Sequence, residues 1–432
     1  MTLDKSKIQT NILHPHGKNH VKCIFIKFQD GLTPDDIRAW TSIWATKFQQ
    51  NYFGKNINVL FSAVQSELAF KKSPQNKNDV NVCFFLTTFL YKKLNIEQPK
   101  DKAFQRGMNL RKTIDILHDD TYSRANEYKS GNIDIMIMFA SNKKSTATAL
   151  IKSIKNSLEK GIGSVLIEEY GKVIRKKGTD GVFEPFGFKD SISKSPDPNK
   201  HALISEENHS DRLGSYFVFR KLRQDKPLFD KNINNLKTTG GISRKYAEAQ
   251  VIGRYKDGLP IMFKNHVTPP GRINQNLLDE FHNNETTIKE IEEKPGYSKC
   301  PFHAHIRKVK DLDAKIVRRG IPYKRMKRPQ IGKPIKAEGL LFMCYQKSIV
   351  TQFEVIQGKL SMGLNHPKNG TGVDPLAKNS RRQNEQPIQN EQTWLMDNGN
   401  NFQYNFEQTV WLEGGEYFYA PSIPFLVQSS LG

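Results

Sequence analysis

This sequence is poor in apolar residues and poorer still in acidic ones. Of 432 residues, 37% are hydrophobic, below the ~45–50% of an average globular chain. No run approaches the roughly 18 uninterrupted apolar residues that a membrane-spanning helix needs. The first twenty residues lack the apolar stretch of a secretory signal. The four cysteines (Cys23, Cys83, Cys300 and Cys344) stand far apart, with no CxxC and no zinc-ligand spacing. Three of them, Cys23, Cys83 and Cys344, fall in apolar strand-like runs, where a buried reduced thiol is the ordinary state. The expectation is a cytoplasmic protein without disulfides or a membrane anchor. Acidic residues number 44 against 66 Lys and Arg, a net charge of +22, which points to an anionic partner: nucleic acid, membrane surface or a small acidic ligand. Aromatics are plentiful, with 26 Phe, 14 Tyr and 4 Trp, more than a disordered chain carries. At ~150 residues per domain the length fits two or three domains, or one duplicated unit.

Hydropathy alternation predicts strands at 21–28, 57–63, 81–86, 133–140 and 163–174. An amphipathic helix follows Thr33-Pro34-Asp35-Asp36, with Ile37, Trp40, Ile43 and Trp44 on one face. A second helix covers 145–159. After a Gly/Pro/Asp/Lys-rich stretch at roughly 175–212 come strands at 215–222 and 339–346, the latter running into a helix at 347–357, and a closing hairpin at 409–414 and 416–421. Strand-into-helix order in both halves predicts an α+β fold with antiparallel sheets and helices packed on the faces. Segment 364–404, rich in Asn, Gln, Gly and Lys, reads as a long polar surface insertion.

Three islands carry chemistry. In CPFHAHIRK (300–308), His303 and His305 stand two apart; they share a side on an extended segment and diverge by about 200° on a helix. Two histidines without a third local ligand make a weak zinc signal, whereas a single His suits haem iron, for which the porphyrin supplies four nitrogens. The segment from His305 to Lys336 holds twelve Lys and Arg and only Asp311 and Asp313 as acids. Its one aromatic is Tyr323 and it contains no nucleic-acid module, which favours a small anionic ligand over nucleic acid. In EPFGFKDSISKS (184–195), a turn at Gly187 presents Asp190 among Phe183, Phe186, Phe188 and Ile192. A loop Asp ordinarily bonds its own backbone; in a partly apolar pocket beside an arginine it would exchange protons near neutral pH.

Taken together, these islands resemble the dye-decolorising peroxidase family, in its longer subgroups. CPFHAHIRK is similar to that family's haem-ligand segment CPFxAHIRK, GFKDS (187–191) to its GxxDG distal motif, and KIVRRGIPY (315–323) to its arginine-bearing segment. Similar islands follow in family order: AFQRGMNLR (103–111), GSYFVFRKL (214–222), VIGRYKDGLPI (251–261), GLLFMCYQKSI (339–349), QFEVIQ (352–357) and GGEYFYAPSI (414–423).

The resemblance implies two ferredoxin-like domains with one haem b per chain between them. Residues 1–178 would form the first, 179–212 a linker carrying GFKDS, and 213–432 the second, haem-binding domain with the insertion at 364–404. His305 takes the place of the iron ligand. Asp190 and Arg318 take the distal positions, with Arg319 the competing choice, and Leu340 and Phe342 line the distal face. Arg307 is a cation for the haem propionates. The implied activity is peroxidation: hydrogen peroxide oxidises ferric haem to a ferryl intermediate, Asp190 and Arg318 assist O–O cleavage, and bulky aromatic or anionic dye-like reductants supply electrons. Neither nucleic acid nor membrane is an implied partner, and homo-oligomerisation is left open. Trp394 and Trp411 are candidate surface entry points for electrons, with a core position the default for Trp411. Glu391, Asp397, Glu407 and Glu413 are candidates for a carboxylate behind His305. Three departures stand out: Ser191 for a glycine, His303 for a small residue, and Lys324 for a glycine. Ser191 favours the alternative of a haem-binding or haem-handling protein (iron release or storage) with weak peroxidase activity, and His303 is a competing ligand.

Overall fold

The structure is a computed structural model that describes residues 3–51, 53, 56–119, 125–190, 196–205, 213–261, 301–310, 312–327, 335–377, 392–396 and 400–428, with backbone alone at 205, 325–327 and 335–337. Its frame is a row of eight antiparallel strands. In chain order the first half supplies β1 (His20–Phe28), α1 (Pro34–Gln49), β2 (Asp79–Leu86), β3 (Ile135–Ser141), α2 (Lys144–Leu158) and β4 (Gly163–Lys172). The second supplies β5 (Leu213–Gln224), α3 (Lys226–Gly240), α4 (Arg244–Ile252), α5 (His305–Lys310), β6 (Val317–Arg318 and Ile321–Lys327), β7 (Ile335–Gln346), α6 (Val355–Met362) and β8 (Val410–Ala420). The two pieces of β6 pair with β7 in one unbroken register, bridged by the Arg319 amide donating to the Met343 carbonyl.

The strand order is β6-β7-β5-β8-β2-β3-β1-β4, the halves joining where Tyr419 of β8 pairs with Leu86 of β2. Within each half the strands, counted as they occur, lie in the order fourth-first-third-second. This is the arrangement of a ferredoxin-like βαββαβ unit, and the protein is α+β as the alternation predicted. The ends of the row approach each other: a Cβ on Gly171 of β4 would lie 2.3 Å from Ile321 Cγ2 of β6, so only glycine permits this closure. The curled sheet encloses a core that includes Phe25, Phe85, Met138, Phe217, Leu341, Met343 and Tyr345. The outward faces carry the helices.

Local sequence explains the elements. Helix α1 starts at a reciprocal capping box of Thr33 and Asp36 with Pro34 in its first turn. It buries Ile37, Trp40, Trp44 and Phe48, and the indoles of Trp40 and Trp44 each donate to Ser157 Oγ of α2 at 3.0 Å.

Three expectations change. The closing hairpin is a single strand, β8, with a bulge between Leu412 and Gly414; the glycine pair serves the bulge and not a turn. The helix after β7 begins as a π-helical segment, Ile349–Glu354, before α6. The 364–404 segment is not only surface. It contributes a small hairpin, Gln392–Leu395 with Asn401–Tyr404, and Trp394 at its centre is completely buried, because its ring packs on Phe406 and Tyr404.

Adding a methyl at Gly171 overpacks the seam at a cost of about 1–3 kcal/mol. Gly171→Ala should lower the urea midpoint accordingly, and removing the opposing side chain by Ile321→Ala should recover part of that loss in a double-mutant cycle. Strict additivity would show that the seam is not closed as described.

Candidate functional site

His305 opens α5, directly after a turn in which the Ala304 amide donates to Pro301. Its side chain is about one-third exposed (29%), and its Nδ1 lies 2.8 Å from Asp374 Oδ2. Asp374 is fully buried, and its other oxygen accepts the amides of Leu376 and Ala377, both at 2.8 Å. Burial pushes this carboxyl up, but the His305 ring and the two amides outweigh it and hold it below the ordinary carboxylate value. An ionised Asp374 accepts a hydrogen bond from Nδ1 and so fixes the orientation of the ring. Asp374 was not among the carboxylates foreseen for this role. Glu407 is exposed, Glu413 accepts from Tyr323 and pairs with Lys221 elsewhere, and Glu391 and Asp397 lie outside the described residues.

His303 is enclosed in the core. It is completely buried, its Nδ1 is 2.6 Å from the Thr393 carbonyl, and its ring centroid is 4.0 Å from that of Trp394. Burial drives its pKa down to about 3, so it is a neutral core residue. Two positions apart, the two histidines have opposite surroundings, one buried and one partly exposed.

The paired arginines separate in the same way. Arg318 stands opposite Cys344 in the β6–β7 ladder, so it shares a face with Phe342 and Leu340; its side chain is exposed. Arg319 points the other way and is buried. Its Nε donates to the Asn11 carbonyl at 3.0 Å and Nη2 to Ile12 at 3.3 Å, which ties the N-terminal segment to the barrel. Leu340 and Phe342 are half-buried, alternating with the fully buried Leu341 and Met343, and Phe342 meets Phe353 at 6.1 Å between centroids. The layer carrying His305 stands on this same side: Leu312 after α5 packs with Ile356 and Leu360 of α6, and Asp374 donates its amide to Leu360. Arg307 is buried, its guanidinium 5.0 Å from the ring of Phe302.

Asp190 lies on a short hairpin, Lys189–Asp190 against Val182–Phe183. Glu184, a residue that sequence reasoning passed over, builds it. Its carboxylate accepts the amides of Phe186 (2.9 Å) and Phe188 (2.8 Å) and the Gln224 amide nitrogen (2.9 Å). Burial pushes Glu184 up, and the negative charge of Asp190 adds to the rise, so the two carboxylates are neighbours. Gly187, at φ +99°, makes the turn. Gln224 follows Leu222 on one face of β5, and Leu222 pairs with Leu340, so the hairpin is moored to the face that bears Arg318. Ser191 lies outside the described residues. Lys324 is exposed and pairs with Glu338 at 3.3 Å. The tryptophans exchange their expected places: Trp394 is core, while Trp411 is half-buried with the Arg223 guanidinium 4.4 Å from its ring.

Among the described residues, no three His, Cys, Asp or Glu side chains converge on a metal position. A metal at His305 would thus have to bring its remaining ligands with it, as a macrocycle does. The comparisons with known proteins agree. Residues 185–369 match the family model described as Dyp-type peroxidase, C-terminal. The chain is similar to DyP-type peroxidases along nearly its whole length. It is 24% identical to the multifunctional dye peroxidase DyP2 of Amycolatopsis sp. (strain ATCC 39116 / 75iv2) over 97% of this chain and 94% of that protein. It is 26% identical to the dye-decolorizing peroxidase msp1 of Mycetinis scorodonius, covering 86% and 79%. The crystal structure of an Anabaena sp. DyP-type peroxidase superposes with a TM-score of 0.80 at 24% identity, covering 99% of this chain and 94% of the other.

The division between the two arginines is measurable without any ligand. Arg319→Ala leaves buried carbonyls unpaired and should cost about 2–4 kcal/mol in urea denaturation, whereas Arg318→Ala should cost less than about 1 kcal/mol. Equal costs would contradict the assignment of the two faces.

Proposed function

We propose that this chain is a haem-dependent peroxidase that uses hydrogen peroxide to oxidise bulky aromatic reductants, anionic dyes among them. The observation that carries the reading is the partly exposed imidazole of His305, oriented from behind by a buried carboxylate. Haem b, when bound, supplies the iron that peroxide oxidises and that aromatic reductants restore. His305 would hold the metal through Nε2, and Asp374 would raise the basicity of that nitrogen through the hydrogen bond at Nδ1. Arg307 balances the propionate charge. Leu340 and Phe342 exclude water from the opposite side.

On that side Asp190 moves the proton. Its carboxylate accepts a proton from hydrogen peroxide and returns it to the departing oxygen, which leaves as water. The fixed hairpin held by Glu184 keeps this carboxylate in place. Arg318 stabilises the negative charge that develops as the O–O bond breaks. Bulky reductants deliver electrons at the surface, and Trp411, with Arg223 over its ring, offers an oxidisable aromatic beside a cation that attracts anionic dyes. The buried free thiols Cys23, Cys83 and Cys344 suit a reducing compartment, and the cytoplasm is where we place the reaction. No described helix is long and apolar enough to cross a membrane.

Peroxide-dependent bleaching of an anionic anthraquinone dye tests the proposal. Asp190→Asn and Arg318→Leu should keep the Soret band and lose roughly 10²-fold or more in kcat/KM. Haem-loaded variants that bleach dye at the rate of the unsubstituted protein would remove both residues from the mechanism.

A further inference from the structure

The loop that carries Asp374 is held by a lysine. Lys308, one turn beyond His305 on α5, is completely buried. Its Nζ donates to three main-chain carbonyls, those of Gly363 (3.1 Å), Gly372 (2.6 Å) and His366. The contact is reciprocal, since His366 Nε2 lies 2.8 Å from the Lys308 carbonyl oxygen. All three carbonyls belong to one loop, closed on itself where the Gly372 amide donates to Leu364 at 2.8 Å. Asp374 follows two residues later and meets His305. Helix α5 therefore grips the loop twice, at its end through His305 and at its centre through Lys308.

A buried ammonium is costly unless its protons are paired, and an ammonium carries three donors. Three convergent carbonyls satisfy them, much as main-chain oxygens coordinate a monovalent cation. Burial still pushes Lys308 down to about 8, with Asp374 pulling it back up. A neutral replacement would leave the carbonyls facing one another with no donor, and the loop would have to rearrange to hydrate them.

We infer that Lys308 is a positioning residue, an internal cation whose three carbonyl bonds set the 363–374 loop so that Asp374 meets Nδ1 of His305. The inference rests on the reading of His305 as the haem ligand and extends it to the device that keeps the ligand oriented. Without the ammonium, Asp374 loses its fixed place, the imidazole becomes less basic, and its hold on the metal weakens.

The test uses the full chain, haem-loaded and haem-free, as Lys308→Ala and as Lys308→Met, which keeps the stem without the charge. Both variants should lose haem to apomyoglobin roughly tenfold or more faster and show a more positive iron(III)/iron(II) midpoint potential. Ethylammonium should restore both properties to Lys308→Ala, while tetramethylammonium, which has no N–H, should not. In the haem-free chain, hydrogen exchange at the Gly372 amide should accelerate in the variants while the strand amides keep their protection. Haem retention and potential unchanged in both variants would overturn the inference. So would a failure of ethylammonium to restore Lys308→Ala, or exchange accelerated equally in loop and strands. A parent chain that takes up no haem would instead defeat the reading of His305, and the exchange at Gly372 would still decide the role of Lys308.

Discussion

A buried carboxylate 2.8 Å behind an imidazole that is about one-third exposed is the contact on which the rest of the site depends. An unsupported histidine at a helix start has two nitrogens and a freely turning ring. The Asp374 bond removes both freedoms, because a carboxylate that stays ionised in the interior accepts only a proton, and only Nδ1 is in reach. Everything nearby serves this bond. The amides of Leu376 and Ala377 keep Asp374 ionised, Lys308 fixes the loop leading to it, and His303 and Trp394 close the core beneath.

The opposite side is governed by strand alternation. Arg318 and Arg319 are chemically identical neighbours, yet a period of two sends them to different faces of β6. One is consumed by main-chain carbonyls of the N-terminal segment. The other stays exposed on the face of Leu340 and Phe342, where an anionic reactant would need it. The same face anchors the Asp190 hairpin through Gln224 and Glu184. A single sheet surface thereby organises groups drawn from three separate stretches of chain.

Much of this was legible in the sequence, for physical reasons that also mark where reading stopped. Strands such as VKCIFIKF and GLLFMCYQ announce themselves because a half-buried strand must alternate, and α1 because its cap and apolar face are local. His305, Arg318, Leu340 and Phe342 stood in short contiguous islands. Asp374 did not: it lies 69 residues from His305, inside a polar stretch whose composition resembles surface loop. Composition cannot show that one Asp and one Trp of such a stretch face inward. Glu184 was hidden for a related cause, since its partners are backbone amides within its own turn, which no residue pattern records. The glycine pair at 414–415 was read as a turn because a bulge and a turn make the same demand for small residues.

Every role proposed above depends on His305 as the single protein ligand of a haem. The most direct measurement is an absorption titration of the full chain with hemin, comparing the parent protein with His305→Ala. A Soret band should saturate at one haem per chain in the parent and be lost, or reduced to weak, displaceable binding, in His305→Ala. An identical band and stoichiometry in the variant would contradict that assignment.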